Sequence, residues 1–461
     1  MPRTSFLNGT RSPTLIVGDL LILTVVPYVA CAARGWLGGL DADALFERFA
    51  PSLAVTNGMS LLGLTMAGMH HPRHDYRTAR RLVELAVALA TPSVAAAVLF
   101  YASEQLFIGR GTLLLNGSLL LASCCLLRLV HSRLFYHQSV VRAAVLGVGP
   151  RARFIADYLA SARPPDYELT GFIRAVEEPV EADVDERMLG HCRDLPKLVH
   201  EHALSLLIIA DDRLDDEALR TVVRAAMFDV DVVDVLDCYE QLSGRVACDH
   251  IDPRWLLASF DGSGSRLYLR QIKPLADKLV AGAGLVAGLP VLAAAMAVIR
   301  WSSRGPLFHH QRRAGLNGRP FTLHKLRTMR VDAEADGVRQ TDVDDRRIVR
   351  GGSWIRKLRV DEIPQFWNVL KGEMSVIGPR PERPEFIARY EQEIPFYRER
   401  LTVRPGITGW AQVNTSYASS TAETRRKLSY DLYYLKRVSP MLDMVIALRT
   451  LGVVFRARRG R

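Results

Sequence analysis

The sequence predicts a multi-domain membrane protein: a four-helix transmembrane bundle, a Rossmann-like α/β domain, and a C-terminal α/β domain that opens on a re-entrant membrane helix. Three observations predict it. Four apolar runs of near membrane-spanning length crowd the first third of the 461 residues. A strand, glycine-turn, helix pattern then begins at Val141. Last, a long apolar segment with a proline at its midpoint leads into a polar, arginine-rich region. Hydrophobic content is 49% against 24% charged, so apolar and charged residues are segregated along the chain. The net charge of +11 suits an anionic membrane surface or a phosphorylated substrate. Without a zinc-finger or RNA-recognition signature, no nucleic acid partner is expected. The six cysteines contain no C-x-x-C spacing, which favours reduced structural thiols over a disulfide framework or zinc site.

The apolar runs are Thr14–Ala33, Pro51–Met69, Leu82–Tyr101 and Thr112–Val130. Each is close to the ~20 residues that cross a bilayer as a helix. Asp19 is the main interruption, near an end from which a charge reaches the interface. The first run is long for a signal peptide and is followed by no small-residue cleavage site. Arginine placement gives the orientation. Arg73, Arg77, Arg80 and Arg81 separate the second and third runs, and the exit from the fourth carries Arg128, Arg133 and Arg142. The other two loops hold fewer arginines and several acids, so both ends of the bundle are expected in the cytoplasm. A soluble, buried four-helix core is the alternative.

From Val141 the texture changes. "RAAVLGVGPRARFIADYL" reads as strand, glycine turn and helix, and Gly147-x-Gly149-x-x-Ala152 fits the loose dinucleotide fingerprint. Further strand and helix signals in "ELTGFI", "ALSLLIIA", "DDEALRTVVRAAMF" and "VDVVDVL" complete a small parallel α/β domain. No acid closes its second strand to hold a ribose; Glu177 and Glu178 lie beyond, in a charged loop. A structural or regulatory role therefore competes with nucleotide binding. "DGSGSR", Asp261–Arg266, is a natural linker.

The segment Leu279–Ile299 is long enough to span a membrane, but Pro290 removes a backbone hydrogen bond at its midpoint. Arg270, Lys273 and Lys278 precede it, and Arg300 and Arg304 follow. Positive charge at both ends suits a kinked helix that enters and leaves by one face; a fifth span is the alternative.

The region after Gly305 carries the chemistry. Lys325 and Arg327 are two apart and would share a side on a strand. Arg356, Lys357, Arg359, Asp361 and Glu362 crowd a short stretch, with Pro364 suited to a helix's first turn and Gly372 to its end. Arg380 stands between Pro379 and Pro381, a stiff setting for gripping phosphate. These parts suit phosphoryl transfer: a carboxylate to attack phosphorus, a second acid for Mg²⁺, and cations for the spread negative charge. An acidic pair that merely caps a helix is the plain alternative. His309, His310 and His324 are not at a convincing metal spacing. The tail "SPMLDMVIALRTLGVVFRARRGR" suits either a membrane-surface helix or an ordinary terminal one.

From about Arg270 to Phe455 the chain resembles the bacterial sugar transferase family, membrane-bound polyprenyl-phosphate sugar-1-phosphate transferases. The motifs are "GPLFHHQRRAGLNGRPFTLHKLRTMR", "LRVDEIPQFWNVLKGEMSVIGPRPERPEF", "RPGITGWAQV" and "YDLYYL", in family order. The first two domains look like the long form, of the type associated with exopolysaccharide and exosortase systems. The resemblance implies a bundle at 1–138, a Rossmann-like domain at 139–262, and an α/β catalytic domain at 263–461 with its re-entrant helix at about 275–300. It implies that Asp361 attacks the sugar-linked phosphate of a UDP-sugar, releasing UMP, and that undecaprenyl phosphate then takes the sugar-1-phosphate. Glu362 would assist Asp361 in holding Mg²⁺. Arg356 matches a phosphate-binding arginine, Pro379, Arg380 and Pro381 the nucleotide-side loop, and Lys325 and Arg327 a basic strand. Pro290 matches the helix-breaking position; Leu289 stands where many members have serine. Glucose or galactose is expected over N-acetylated sugars, and a homodimer by analogy. The enzyme would sit in the bacterial inner membrane with its catalytic domain in the cytoplasm. A membrane nucleotide-sugar dehydratase or epimerase would need a Tyr-x-x-x-Lys pair that the α/β domain lacks. A non-catalytic scaffold would tolerate Asp361→Asn.

Overall fold

Each of the four apolar runs folds into a helix in the computed structural model, which describes residues 12–70, 76, 79–101, 109–135, 140–162, 167–175, 187–211, 214–228, 230–251, 267–330, 347–415 and 420–459. The chain divides into two units, Met1–Cys238 and Tyr239–Arg461. In the first, α1 (Pro13–Gly38) lies against α2 (Ala42–Met66) and α4 (Arg110–Phe135), and α3 (Ala79–Tyr101) against the same two. α2 starts well ahead of its apolar run because Asp41 caps it, accepting from the Asp43 N–H at 3.2 Å. The helix then passes through Pro51. Much of the α2–α3 loop, including Arg73 and Arg77, lies outside the described residues, as do Glu177, Glu178 and the linker Asp261–Arg266.

Asp19 does not reach an interface. It is fully buried, and Arg128 donates to both its carboxylate oxygens at 2.8 Å while His70 Nε2 lies 3.0 Å from Oδ2. A charge inside an apolar bundle persists only with such partners. Three stretches among the described residues are long and apolar enough to cross a membrane: Pro13–Gly38, Arg110–Leu134 and Tyr268–Ser302. They mark a membrane protein.

The same unit holds a five-stranded, wholly parallel sheet in the order β3-β2-β1-β4-β5. Its strands are β1 (Val141–Leu146), β2 (Tyr167–Arg174), β3 (Met188–His191), β4 (Leu206–Ile209) and β5 (Asp231–Asp234), with α5 (Pro150–Ala162), α6 (Leu195–Glu201) and α7 (Asp216–Phe228) between them. Val145, Leu146, Ile173, Leu207 and Ile208 form its dry centre, as expected for strands covered on both faces. Gly147, at φ +119, turns β1 toward α5; a Cβ there would lie 3.0 Å from Asp211 Cβ. β2 ends on Arg174, not on an acid.

The second unit is organised on α8 (Lys273–Ser302), which continues through Pro290 without ending. Around it stand the hairpin β6 (Phe308–Ala314) and β7 (Pro320–Leu326), then α9 (Gly352–Lys357), α10 (Gln365–Lys371) and β8 (Ser375–Ile377). The remaining elements are α11 (Pro384–Glu393), β9 (Gly406–Thr408), α12 (Trp410–Asn414), α13 (Thr421–Lys436) and α14 (Pro440–Arg459). One face of α8 is covered along most of its length. Asp277 accepts from Ser375 Oγ at 2.7 Å and from the Val376 N–H at 3.2 Å. Ala281 packs on Leu323, Val369 and Met374, and Leu292, Ala295 and Ile299 pack on Leu326, Ile355 and Val360. Between them, a Cβ on Gly284 would come within 2.9 Å of Phe366 and one on Gly288 within 3.0 Å of Ile363. These two glycines let the chain just after Glu362 lie directly on the helix. The opposite face leaves Leu275, Leu279, Val286, Leu289 and Val291 exposed. The start of α14 is an ordinary terminal helix: Val445 and Ile446 are buried with Tyr430 and Tyr434, and Asp443 accepts from Tyr268, Tyr434 and Lys273.

Candidate active site

The acidic pair sits in a single 3-10 turn, Val360–Glu362, between α9 and α10. Val360 is buried on α8 and pins the turn there. Arg359 enters it at φ 57, a left-handed conformation that costs a non-glycine residue on the order of 1 kcal/mol. Neither carboxylate caps α10, whose N-cap position is Pro364 and has no side-chain cap. Gly372 ends that helix at φ +80, donating to the Asn368 and Val369 carbonyls. The capping reading of the pair therefore falls, and both acids are available for chemistry.

Their surroundings are strongly cationic. Glu362 Oε1 accepts from Arg359 Nη1 at 3.0 Å, with the Arg380 guanidinium 3.4 Å away. Asp361 Oδ1 is buried and has no hydrogen-bond partner. Burial, then the Glu362 charge, pushes the Asp361 carboxyl up to about 6; Lys325, Arg356 and Arg359 act in the other direction. Burial and the neighbouring cations Arg313, Arg380 and Arg356 hold the Lys325 amine below its ordinary range, while Asp361 opposes them. Among the described residues, the side chains of Lys325 and Arg356 have no hydrogen-bond or ion-pair partner. The fold thus gathers Asp361, Glu362, Lys325, Arg356 and Arg380 from four separate segments, and leaves two cations and one carboxylate oxygen free for a ligand.

Arg327 is not part of this group. β7 ends at Leu326, so strand alternation does not extend to it. Its buried guanidinium donates to the Arg304 and Ser303 carbonyls at 3.0 and 3.2 Å, closing the C-terminal end of α8. Arg359 is the converse: named in the charged stretch of the sequence but given no role there, it stands at the site. Its spacing of three from Glu362 was the available signal.

The Pro379-Arg380-Pro381 loop is fixed through its backbone. The Pro379 carbonyl accepts from the Gly406 N–H at 2.9 Å, that of Arg380 from Arg400 Nη2 at 3.0 Å, and that of Pro381 from Arg313 Nη1 at 3.1 Å. β8 and β9 pair in parallel beneath it. Here Gly406 approaches Gly378 so closely that a Cβ would overlap the Gly378 backbone nitrogen. Both prolines are buried, while Arg380 reaches out toward Glu362. Arg400 is in turn anchored by Asp431, 2.8 Å from Nη2. "RPGITGWAQV" and "YDLYYL" are therefore largely the scaffold that aims Arg380.

No group of three or more His, Cys, Asp or Glu side chains suited to a metal occurs among the described residues. Mg²⁺ does not require one, because it binds through one or two carboxylates, water and substrate phosphates. Asp361, with a buried oxygen lacking a partner, and Glu362 beside it fit that mode.

The bacterial sugar transferase family model matches residues 268–457. Over 246 residues the chain is 39% identical to a UDP-N-acetylgalactosamine-undecaprenyl-phosphate N-acetylgalactosaminephosphotransferase of Aeromonas hydrophila, covering 53% of this chain and 57% of that protein. It is 42% identical over 193 residues to a UDP-glucose:undecaprenyl-phosphate glucose-1-phosphate transferase of Xanthomonas campestris pv. campestris, covering 40% of each. The match therefore spans about half of these relatives' length, or less. A putative undecaprenyl-phosphate N-acetylgalactosaminyl 1-phosphate transferase of Bacillus subtilis (strain 168) is 45% identical over 130 residues, 28% of this chain and 73% of that protein. With most of that smaller relative matched at this identity, the chain belongs to the bacterial sugar transferase family.

Proposed function

We propose that the chain transfers a sugar-1-phosphate from a UDP-sugar to undecaprenyl phosphate, releasing UMP, as the initiating step of an exopolysaccharide or other envelope glycan. The observation that carries this reading is Asp361, a buried carboxylate oxygen without a hydrogen bond, facing a cationic cluster. The names of the relatives support the donor and acceptor classes.

An Asp361 oxygen attacks the phosphorus attached to the sugar. As that bond forms, the bond from phosphorus to the bridging oxygen breaks, and its electron pair leaves with UMP. A phosphate oxygen of undecaprenyl phosphate then attacks the same phosphorus, and the carboxylate departs. Lys325 and Arg356, free of protein partners, offset charge on the transferring group, and Arg380 offsets it on the departing nucleotide. Glu362, with Asp361, would hold Mg²⁺, which supplies further positive charge against the diphosphate.

The same reading places α1–α4 as four spans with both ends cytoplasmic, and α8 as a re-entrant segment of the bacterial inner membrane. The covered face of α8 supports this. Side chains of the following domain cover it from Asp277, which accepts from Ser375, to Ile299, which packs with Leu326, Ile355 and Val360; this suits shallow insertion and conflicts with a full crossing of about 30 Å of hydrocarbon. Exposed Trp301, Trp354 and Trp367 suit the membrane–water boundary. The division at 1–138, 139–262 and 263–461, the cytoplasmic catalytic domain and a homodimer belong to this proposal too. Relatives named for glucose and for N-acetylgalactosamine leave the sugar to experiment. The test is UMP release from a panel of UDP-sugars by nanodisc-embedded protein with Mg²⁺ and undecaprenyl phosphate. A wild type inactive with every sugar, or an Asp361→Asn variant of undiminished activity, would overturn the reading.

A further inference from the structure

The centre of α10 is an asparagine, a residue that favours caps and turns over helix interiors. Asn368 is nevertheless fully buried, and its side-chain amide is bonded through both oxygen and nitrogen. Oδ1 accepts from the His324 N–H at 3.2 Å, while Nδ2 donates to the Thr322 carbonyl and to Glu373 Oε2, each at 2.7 Å. The amide thus straddles Leu323 and makes the two backbone bonds that a residue of a neighbouring strand would make. On either side of this pin the contact is apolar. Leu323 packs with Val369 and Met374, and Leu326 with Val360. Leu326 directly follows Lys325 and Val360 directly precedes Asp361, so the end of β7 lies against the turn that carries the acidic pair. Lys325 and Asp361 act on each other's ionisation, as neighbours do.

Apolar contacts have no direction and let a strand slide along a helix. The hydrogen bonds of Asn368 are directional and fit one register. We propose that Asn368 is a positioning residue of the transfer reaction: it fixes the register of β7 on α10 and so holds Lys325 beside Asp361. Being fully buried, it acts through Lys325 and not by touching a substrate. The inference rests on the reaction proposed above and adds to it a residue outside the charged cluster.

The test is a double-mutant cycle on UMP release by the full chain in nanodiscs, with Asn368→Leu, Lys325→Met and the two combined. Asn368→Leu keeps the size of the side chain and none of its hydrogen bonds. It should lower kcat about tenfold, within the effect of a small misplacement of a catalytic group. The KM for the UDP-sugar should stay near that of wild type. In the Lys325→Met background the same substitution should lower kcat no further, because no ammonium is left to place. Val369→Ala weakens the same helix–strand contact without touching the amide; it should lower Tm at least as far and keep kcat near wild type. If Asn368→Leu does not fold, Glu373→Ala carries the cycle, since it takes one acceptor from the amide without emptying the buried position; its kcat should fall about threefold. A wild-type kcat in the variant that carries the cycle, losses that multiply in the double variant, or a Val369→Ala variant equally slow at equal Tm overturns the positioning role. Each of these outcomes requires an active wild type, so the proposed reaction survives them. If wild type releases no UMP from any UDP-sugar, both readings fall together.

Discussion

Replacing Asp361 by asparagine should make the protein more stable while abolishing its activity. Burial above all pushes the carboxyl up to about 6 in the folded chain, from an ordinary value of 3.8. The folded state therefore binds this proton more tightly than the unfolded state. Below about pH 4 the group is protonated in both and costs nothing. As pH rises toward 6 the unfolded chain ionises first, and stability falls until the folded carboxyl has ionised too. The difference from the ordinary value corresponds to roughly 3 kcal/mol lost by pH 8. An amide of the same shape avoids that loss, but leaves a buried polar group to satisfy at a cost of about 1 kcal/mol. Asp361→Asn should thus gain about 2 kcal/mol at pH 8 without divalent metal, or several degrees in Tm. The gain should disappear near pH 4. Differential scanning fluorimetry of nanodisc-embedded protein in EDTA from pH 4 to 8 measures it. An unchanged Tm at pH 8, or a gain independent of pH, would refute the reasoning that Asp361 is held ionised in a site built for another purpose.

Three further perturbations address the surroundings. Lys325→Met removes a buried cation with no protein partner and should lower UMP release about 10- to 100-fold with little change in Tm. Asp431→Asn strips Arg400 of its buried carboxylate and should cost about 3–5 kcal/mol, read as a lowered Tm. Gly406→Ala places a methyl against the Gly378 backbone, shifting the loop that aims Arg380. It should destabilise by about 1–3 kcal/mol and raise the KM for the UDP-sugar.

Local signals in the sequence were faithful where the physics is local. The apolar runs became helices, Gly372 ended α10, and the strand–turn–helix pattern at Gly147 opened a parallel sheet. The early start of α2 was also readable, since Asp41 is a good N-cap, but hydropathy alone concealed it. Long-range partners could not be read. Asp19 looked like a surface blemish because Arg128 stands 109 positions away. Arg327 looked like the twin of Lys325 because its commitment to the end of α8 depends on where β7 stops. The acidic pair was conspicuous in the sequence. The left-handed Arg359 that turns the chain into it, and the glycines of α8 that let it settle there, appear only in the folded backbone.

The central claim is that Asp361 carries the sugar phosphate. Incubating the nanodisc-embedded protein with Mg²⁺ and a turned-over UDP-sugar, without acceptor, and then taking its intact mass tests this directly. The account predicts a mass gain of one sugar phosphate, located to the peptide containing Asp361, absent from Asp361→Asn and discharged by undecaprenyl phosphate. Turnover with acceptor but no adduct at Asp361, under conditions that release one UMP per chain, would contradict it.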